Sequence, residues 1–157
     1  MSKKIMIMSC SLDGRLLTAV ETAKKLGLET IACVREEDDI AAAYADRGYA
    51  VGNDTDKLLE IAKKENIDGV LGVWDKTALP AAIIAEEMGL VANSPGCVVS
   101  LLEKGSFRRL QEEAGVFHPG FFKTDSKAEL EEKCAGLHYP LIVKPELCSS
   151  SFGQTKI

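Results

Sequence analysis

Between residues 3 and 93 the chain repeats one pattern: a short continuous apolar run, then about a dozen residues with an apolar stripe at helical spacing. "KKIMIMSC" is the first run. "RLLTAVETAKKLGL" follows, with Leu16, Leu17, Val20, Ala23 and Leu26 on one helical face and Gly27 as its stop. "ETIACV" reads as a second buried strand, and "DDIAAAYADRG" as a small helix ending at Gly48. "YAV" is a short strand, "DKLLEIAKKENI" an amphipathic helix, and "DGVLGVW" another continuous apolar strand. "TALPAAIIAEEMGL" closes the series as a helix ending at Gly89, with Pro80 early enough that its missing N–H costs little. Strands without polar alternation must be covered on both faces, and helical crossovers place them parallel. The prediction is a doubly wound α/β unit.

The texture changes after Asn93. "SPGCVVSLLE" and "SFRRLQEEAGV" read as two short helices with Lys104 and Gly105 at their junction and Ser94 and Ser106 as N-caps. "HPGFFKT", a helix "SKAELEEKCAGL", a strand "YPLIVKP" and a loop "ELCSSSFG" then form a second unit, in which "QTKI" begins another strand. The expected division is a first domain over 1–93, a helical connection over 94–116, and an incomplete second unit over 117–157.

A chain of 157 residues with 46% hydrophobic and 27% charged residues can bury a core without staples. Its net charge of -5 argues against nucleic acid as the main partner, which would want a basic face, but not against a nucleotide, which needs only one or two placed cations. Five cysteines, Cys10, Cys33, Cys97, Cys134 and Cys148, are widely spaced with no C-x-x-C pair. They read as mostly small buried hydrophobes in a reducing compartment. No apolar run approaches the roughly 18 residues of a membrane span, and Asp13 and Gly14 interrupt any leader core, so a cytoplasmic protein is expected.

The first strand–helix turn, "SCSLDGR", lacks the glycines that let a backbone approach a pyrophosphate, which weakens a dinucleotide reading. The acidic run "REEDD" after the second strand could reach a ribose, but such a run is more often a solvated loop. Trp74, Asp75 and Lys76 end a strand where open α/β sheets gather ligands; a polar loop with one half-buried indole is the competing account. His118 and His138 stand alone beside prolines and read as surface or hinge residues. Lys144 ends an apolar strand, where its charge must reach either water or an anion. Ser149, Ser150, Ser151 and Gly153 follow within nine residues, and such a loop can fold as a nest of amides around phosphate. On these grounds a phosphate site and an ordinary hairpin remain equally open.

The wording of the chain decides between them. "YADRGYAV" resembles an A-D-x-x-x-x-V run, Glu103–Lys104 an acid–lysine pair before a helix, and "AGVFHPGFF" a Gly-(Val/Ile)-x-x-Pro ending. "HYPLIVKPELCSSSFGQTKI" resembles a Tyr-Pro-aliphatic-Lys-Pro strand with a small-residue loop ending in glycine. In this order, over nearly all 157 residues, these motifs resemble the ATP-grasp superfamily, which includes the carbamoyl-phosphate synthase large subunit and biotin carboxylase. The resemblance implies a Rossmann-like doubly wound parallel sheet followed by an incomplete α+β ATP-grasp subdomain. It implies that Lys104 and Lys144 bind ATP and that Ser149–Gly153 is the phosphate lid. Two departures are a lid with one glycine and glutamate at 103 where aspartate is common.

The implied function is that of a ligase that uses Mg-ATP to activate a carboxylate-type substrate as an acyl-phosphate for attack by an amine or other nucleophile. Trp74, Asp75 and Lys76 are its candidate substrate residues. The metal-binding residues, the Mg2+ they hold and the cleft's second wall are expected outside these 157 residues, so the chain is expected to be an inactive N-terminal fragment. Self-association into a homo-oligomer stays open. The alternatives are a non-catalytic Rossmann-like binding module and an NAD-binding oxidoreductase domain.

Overall fold

In the computed structural model, which describes residues 2–9 and 14–157, the apolar runs become the parallel strands β1 (Lys4–Met8), β2 (Glu29–Val34), β3 (Arg47–Ala50) and β4 (Gly69–Gly72). Their order in the sheet is β3-β2-β1-β4, with Met6 opposite Ile31 and Val70. The helices between and after them are α1 (Arg15–Lys25), α2 (Ile40–Tyr44), α3 (Thr55–Glu65) and α4 (Asp75–Glu87). The turn "SCSLDGR" lies largely outside the described residues, as does Cys10.

Side chains alternate across the sheet, and each face has its own helices. Met6, Met8, Ile31 and Cys33 pack with Leu58, Ile61 and Ala62 of α3 and Ile84 of α4. Ile7, Ala32 and Val34 pack on the opposite face with Leu16, Val20 and Ala23 of α1 and Ala41 of α2. Full burial of each large aliphatic side chain stabilises the fold by about 1.5–3 kcal/mol relative to leaving it exposed. The doubly wound reading is correct.

Several local expectations are corrected. Leu26 projects into solvent, because α1 ends at Lys25 and Leu28 joins the core instead. Gly48 does not end a helix: α2 stops at Tyr44, and Gly48 lies within β3. A Cβ there would sit 2.7 Å from the Ala42 carbonyl oxygen, so glycine serves close packing. Pro80 is the sixth residue of α4, past the first turn; its ring is buried, and it has no N–H to offer the Lys76 carbonyl. "DGVLGVW" supplies only four strand residues at a sheet edge, which leaves Leu71 exposed. Among the described cysteines, Cys33 and Cys134 are buried, whereas Cys97 is exposed and Cys148 half-buried.

The chain divides into two compact units, 1–98 and 99–157. Helix α5 (Pro95–Leu102) spans the division, and Ser94 Oγ accepts the Cys97 N–H at its start. The second unit holds α6 (Lys104–Glu113), α7 (Lys127–Cys134) and an antiparallel pair, β5 (Ile142–Val143) with β6 (Thr155–Lys156). "YPLIVKP" thus forms its own sheet with the last strand. Ser126 caps α7, its side chain accepting the Glu129 N–H. Ser106 is not a cap: Glu103 precedes the helix, and the Ser106 hydroxyl donates to Glu103 Oε2 at 2.7 Å. Lys104 and Gly105 therefore open α6 instead of separating two helices.

Candidate functional site

The helix α6 begins with a lysine followed by a glycine, and both turn toward the loop that follows β5. Lys104 Nζ donates to the carbonyls of Glu146 at 3.0 Å and Cys148 at 2.8 Å. The Gly105 N–H donates to Glu146 Oε1 at 2.8 Å. This N–H is among those that a helix leaves unpaired at its first turn, so the carboxylate fills a need that α6 itself creates. Gly105 is buried, and a Cβ on it would lie 3.1 Å from the same oxygen.

Beyond this anchorage the loop turns tightly. Phe152 N–H reaches the Ser149 carbonyl and Gln154 N–H the Ser151 carbonyl, each at 3.2 Å. Ser150 and Ser151 have φ of 57° and 58°, in the left-handed region that L side chains disfavour. Gly153, at φ 66°, lies so close to Pro145 that a Cβ would meet its Cγ at 2.9 Å. Here glycine is required on both counts. Lys144, just before Pro145, is exposed, and its ammonium has no hydrogen bond or ion pair among the described residues. Ser149, Ser150, Ser151 and Gly153 are exposed as well. Lys104 and the loop root are thus brought together, with Lys144 at the other end of Pro145. Chemically this is a serine-rich pair of turns rooted on one engaged ammonium and one carboxylate, Lys104 and Glu146, with the open ammonium of Lys144 just before Pro145.

Trp74, Asp75 and Lys76 lie in the first unit, at the carboxyl end of β4. The Trp74 N–H donates to Thr77 Oγ1 at 3.1 Å, and the same hydroxyl donates to the Trp74 carbonyl at 2.9 Å. Thr77 is buried and its carbonyl would lie 2.5 Å from a Cβ on Gly72, so the turn from β4 into α4 depends on that glycine. Arg15 lies over the indole ring at 3.9 Å, a contact that nothing in the sequence signalled. Trp74 Nε1 is buried without a partner among the described residues. Asp75 and Lys76 are exposed.

At the opposite, amino end of the same sheet, polar residues tie elements together. Arg47 and Tyr49 both donate to the buried Glu65 carboxylate, and Arg47 also pairs with Glu29 at 2.9 Å. Lys4 Nζ donates to the Glu65 carbonyl at 2.8 Å. The Tyr49 hydrogen bond, with Arg47 in support, holds the Glu65 carboxyl below its ordinary range. Among the described residues no three His, Cys, Asp or Glu side chains converge as metal ligands, and no helix is long and apolar enough to cross a membrane.

No family model matches the chain. In sequence, 98% of the chain is 32% identical to the formate-dependent phosphoribosylglycinamide formyltransferase of Wolinella succinogenes, of which it spans 40%. The arginine-specific large chain of carbamoyl phosphate synthase from Bacillus subtilis is 28% identical over 146 residues, 90% of this chain and 14% of that one. Among solved structures, the ADP complex of N5-carboxyaminoimidazole synthetase from Staphylococcus aureus superposes with a TM-score of 0.81 at 17% identity, over 100% of this chain and 42% of that one. The L-amino acid ligase of Bacillus licheniformis gives 0.79 at 21%, over 99% and 39%. At such identities these structures speak for the fold alone. The chain spans about two fifths of the formyltransferase and a smaller share of the carbamoyl phosphate synthase large chain. In its ordered motifs and its sequence relatives the chain is similar to ATP-grasp enzymes, and its fold matches that of the solved structures named above.

Proposed function

We propose that the second unit carries part of a nucleotide site, and that the protein acts as an ATP-dependent ligase on a carboxylate-type substrate, activated as an acyl-phosphate for a nucleophile. The observation that supports this reading most is the hydrogen bonding of Lys104 to the root of the loop that follows Lys144. The anchored loop follows Lys144 directly and is rich in hydroxyls and amides, and such donors beside ammonium groups are the chemistry that phosphate oxygens need. The relatives' names agree with it: one uses formate, another ligates amino acids, and a third was solved with ADP.

In this reading Lys104 and Lys144 hold phosphate oxygens, and Ser149, Ser150, Ser151 and Gly153 cover them. Bound ATP would supply the phosphoryl group; the chain's own residues bind, orient and exclude water. Mg2+ finds no ligand set among the described residues, and no step is assigned to it. Trp74, Asp75 and Lys76 are proposed as substrate contacts because they lie beyond the carboxyl end of a strand.

Titration of the 15N-labelled chain with Mg-ATP tests the reading. These residues alone should bind roughly millimolar, about -4 kcal/mol, with amide shifts confined to 104–105 and 144–154. Those shifts should vanish in Lys144→Ala. Shifts scattered over the chain, or none at 10-fold higher nucleotide, would contradict it, as would micromolar affinity, which demands a complete site of another design.

A further inference from the structure

We propose that Lys104 and Glu146 form a latch that holds the serine loop against the start of α6 and must open before phosphate is bound. The proposal rests on the nucleotide reading for its purpose, but on the geometry for its existence. Three hydrogen bonds join segments some forty residues apart: two from the Lys104 ammonium to the loop carbonyls, and one from the Gly105 N–H to the Glu146 carboxylate.

The ammonium has three N–H groups, and the loop takes two of them. The Gly105 N–H, the kind of donor a helix start offers to an anion, is taken by a carboxylate of the protein itself. A phosphate approaching this place would therefore meet a spent donor and a like charge. The two serines held at positive φ fit the same account, since such backbone persists only where the surroundings impose it. Glu146 is thus a positioning residue: it acts on nucleotide through Gly105 and the loop.

Amide hydrogen exchange on the 157-residue chain tests the latch without nucleotide. Glu146→Ala should speed exchange at Gly105, Phe152 and Gln154 by about ten- to a hundredfold, the loss of one charge-assisted hydrogen bond. Glu146→Gln keeps a carbonyl oxygen for Gly105 and should restore most of the protection. Lys104→Met should speed Phe152 and Gln154, while Leu130 of α7 stays unchanged in every variant. Unchanged loop exchange in both Glu146→Ala and Lys104→Met overturns the latch, and so does equal acceleration at Leu130, which would report general loosening. With Mg-ATP, Glu146→Ala should bind about three- to tenfold tighter than the parent chain, because more of it is open. Binding by both at equal affinity also overturns the latch. Binding by neither sinks the nucleotide reading instead, and the exchange rates then decide the latch alone.

Discussion

Asp46 accepts hydrogen bonds from both the backbone N–H and the hydroxyl of Thr30, each at 2.8 Å, and Thr30 has no exposed surface. Lys24 adds an ion pair at 3.1 Å. The Thr30 bonds, with Lys24 in support, lower the carboxyl from 3.8 to about 2. Because the folded value lies below the unfolded one, the contribution is complete above about pH 4 and fades as the pH falls through 2. Asp46→Ala should cost about 1–3 kcal/mol at neutral pH, since it strands two buried donors; urea unfolding measures this. Asp46→Asn should flatten the loss of stability between pH 5 and 2, and an unaltered acid limb would refute the assignment. Cys33 gives a second test at this scale. Burial, and then the charge of Glu65, pushes its thiol up to about 12. Iodoacetamide at neutral pH should label exposed Cys97 in the native chain and leave Cys33 untouched until it is denatured, as peptide mass spectrometry would record. Labelling of Cys33 at the rate of Cys97 would mean that β2 opens far more readily than its burial implies.

The elements divide by how local their causes are. Strand and helix order in residues 3–93 was legible because each apolar run and each helical stripe carries its own period. What was not legible depended on neighbours. Gly48 read as a helix stop and lies in β3, and Gly72 read correctly as a strand residue, but the need for glycine at each comes from a backbone that a Cβ would strike, Ala42 in one case and Thr77 in the other. Gly72→Ala should therefore cost about 1–3 kcal/mol or more in urea unfolding, the usual cost of overpacking; a loss under about 0.5 kcal/mol would show that the turn into α4 yields freely. The candidate site divides in the same way. Lys144 and the serine loop drew attention as a cation at a strand end followed by hydroxyls, whereas Lys104 became a candidate only through the order of motifs that resemble a known family. Glu146 escaped because a carboxylate two residues beyond a lysine says nothing of the Gly105 N–H in the first turn of α6. Arg15 escaped because its partner, Trp74, comes from a strand end far along the chain.

At the scale of the whole chain the two units differ in what holds them. Residues 1–98 contain two buried clusters, one on each face of a four-stranded sheet, and a polar tie from Glu65 to β2 and β3 through Glu29, Arg47 and Tyr49. Residues 99–157 have a two-stranded sheet, and Cys134 is their buried apolar side chain in the described core, while Phe117, Tyr139, Leu147 and Phe152 are exposed. A two-stranded ribbon is at best marginally stable without a hydrophobic face to cover it. Local opening follows such differences in buried apolar area. In hydrogen exchange under low urea, amides of β1 and β2 should exchange only through global unfolding, with strong urea dependence. Amides of α6, α7 and the β5–β6 pair should exchange through smaller openings, at least about a hundredfold faster, a difference of about 2.7 kcal/mol or more. The same experiment bears on the proposed division of the chain at 94–116, because the step in protection should fall within that stretch. One common protection factor from β1 to β6 would mean that the chain unfolds as a single cooperative body, and the second unit would then owe its order to the first.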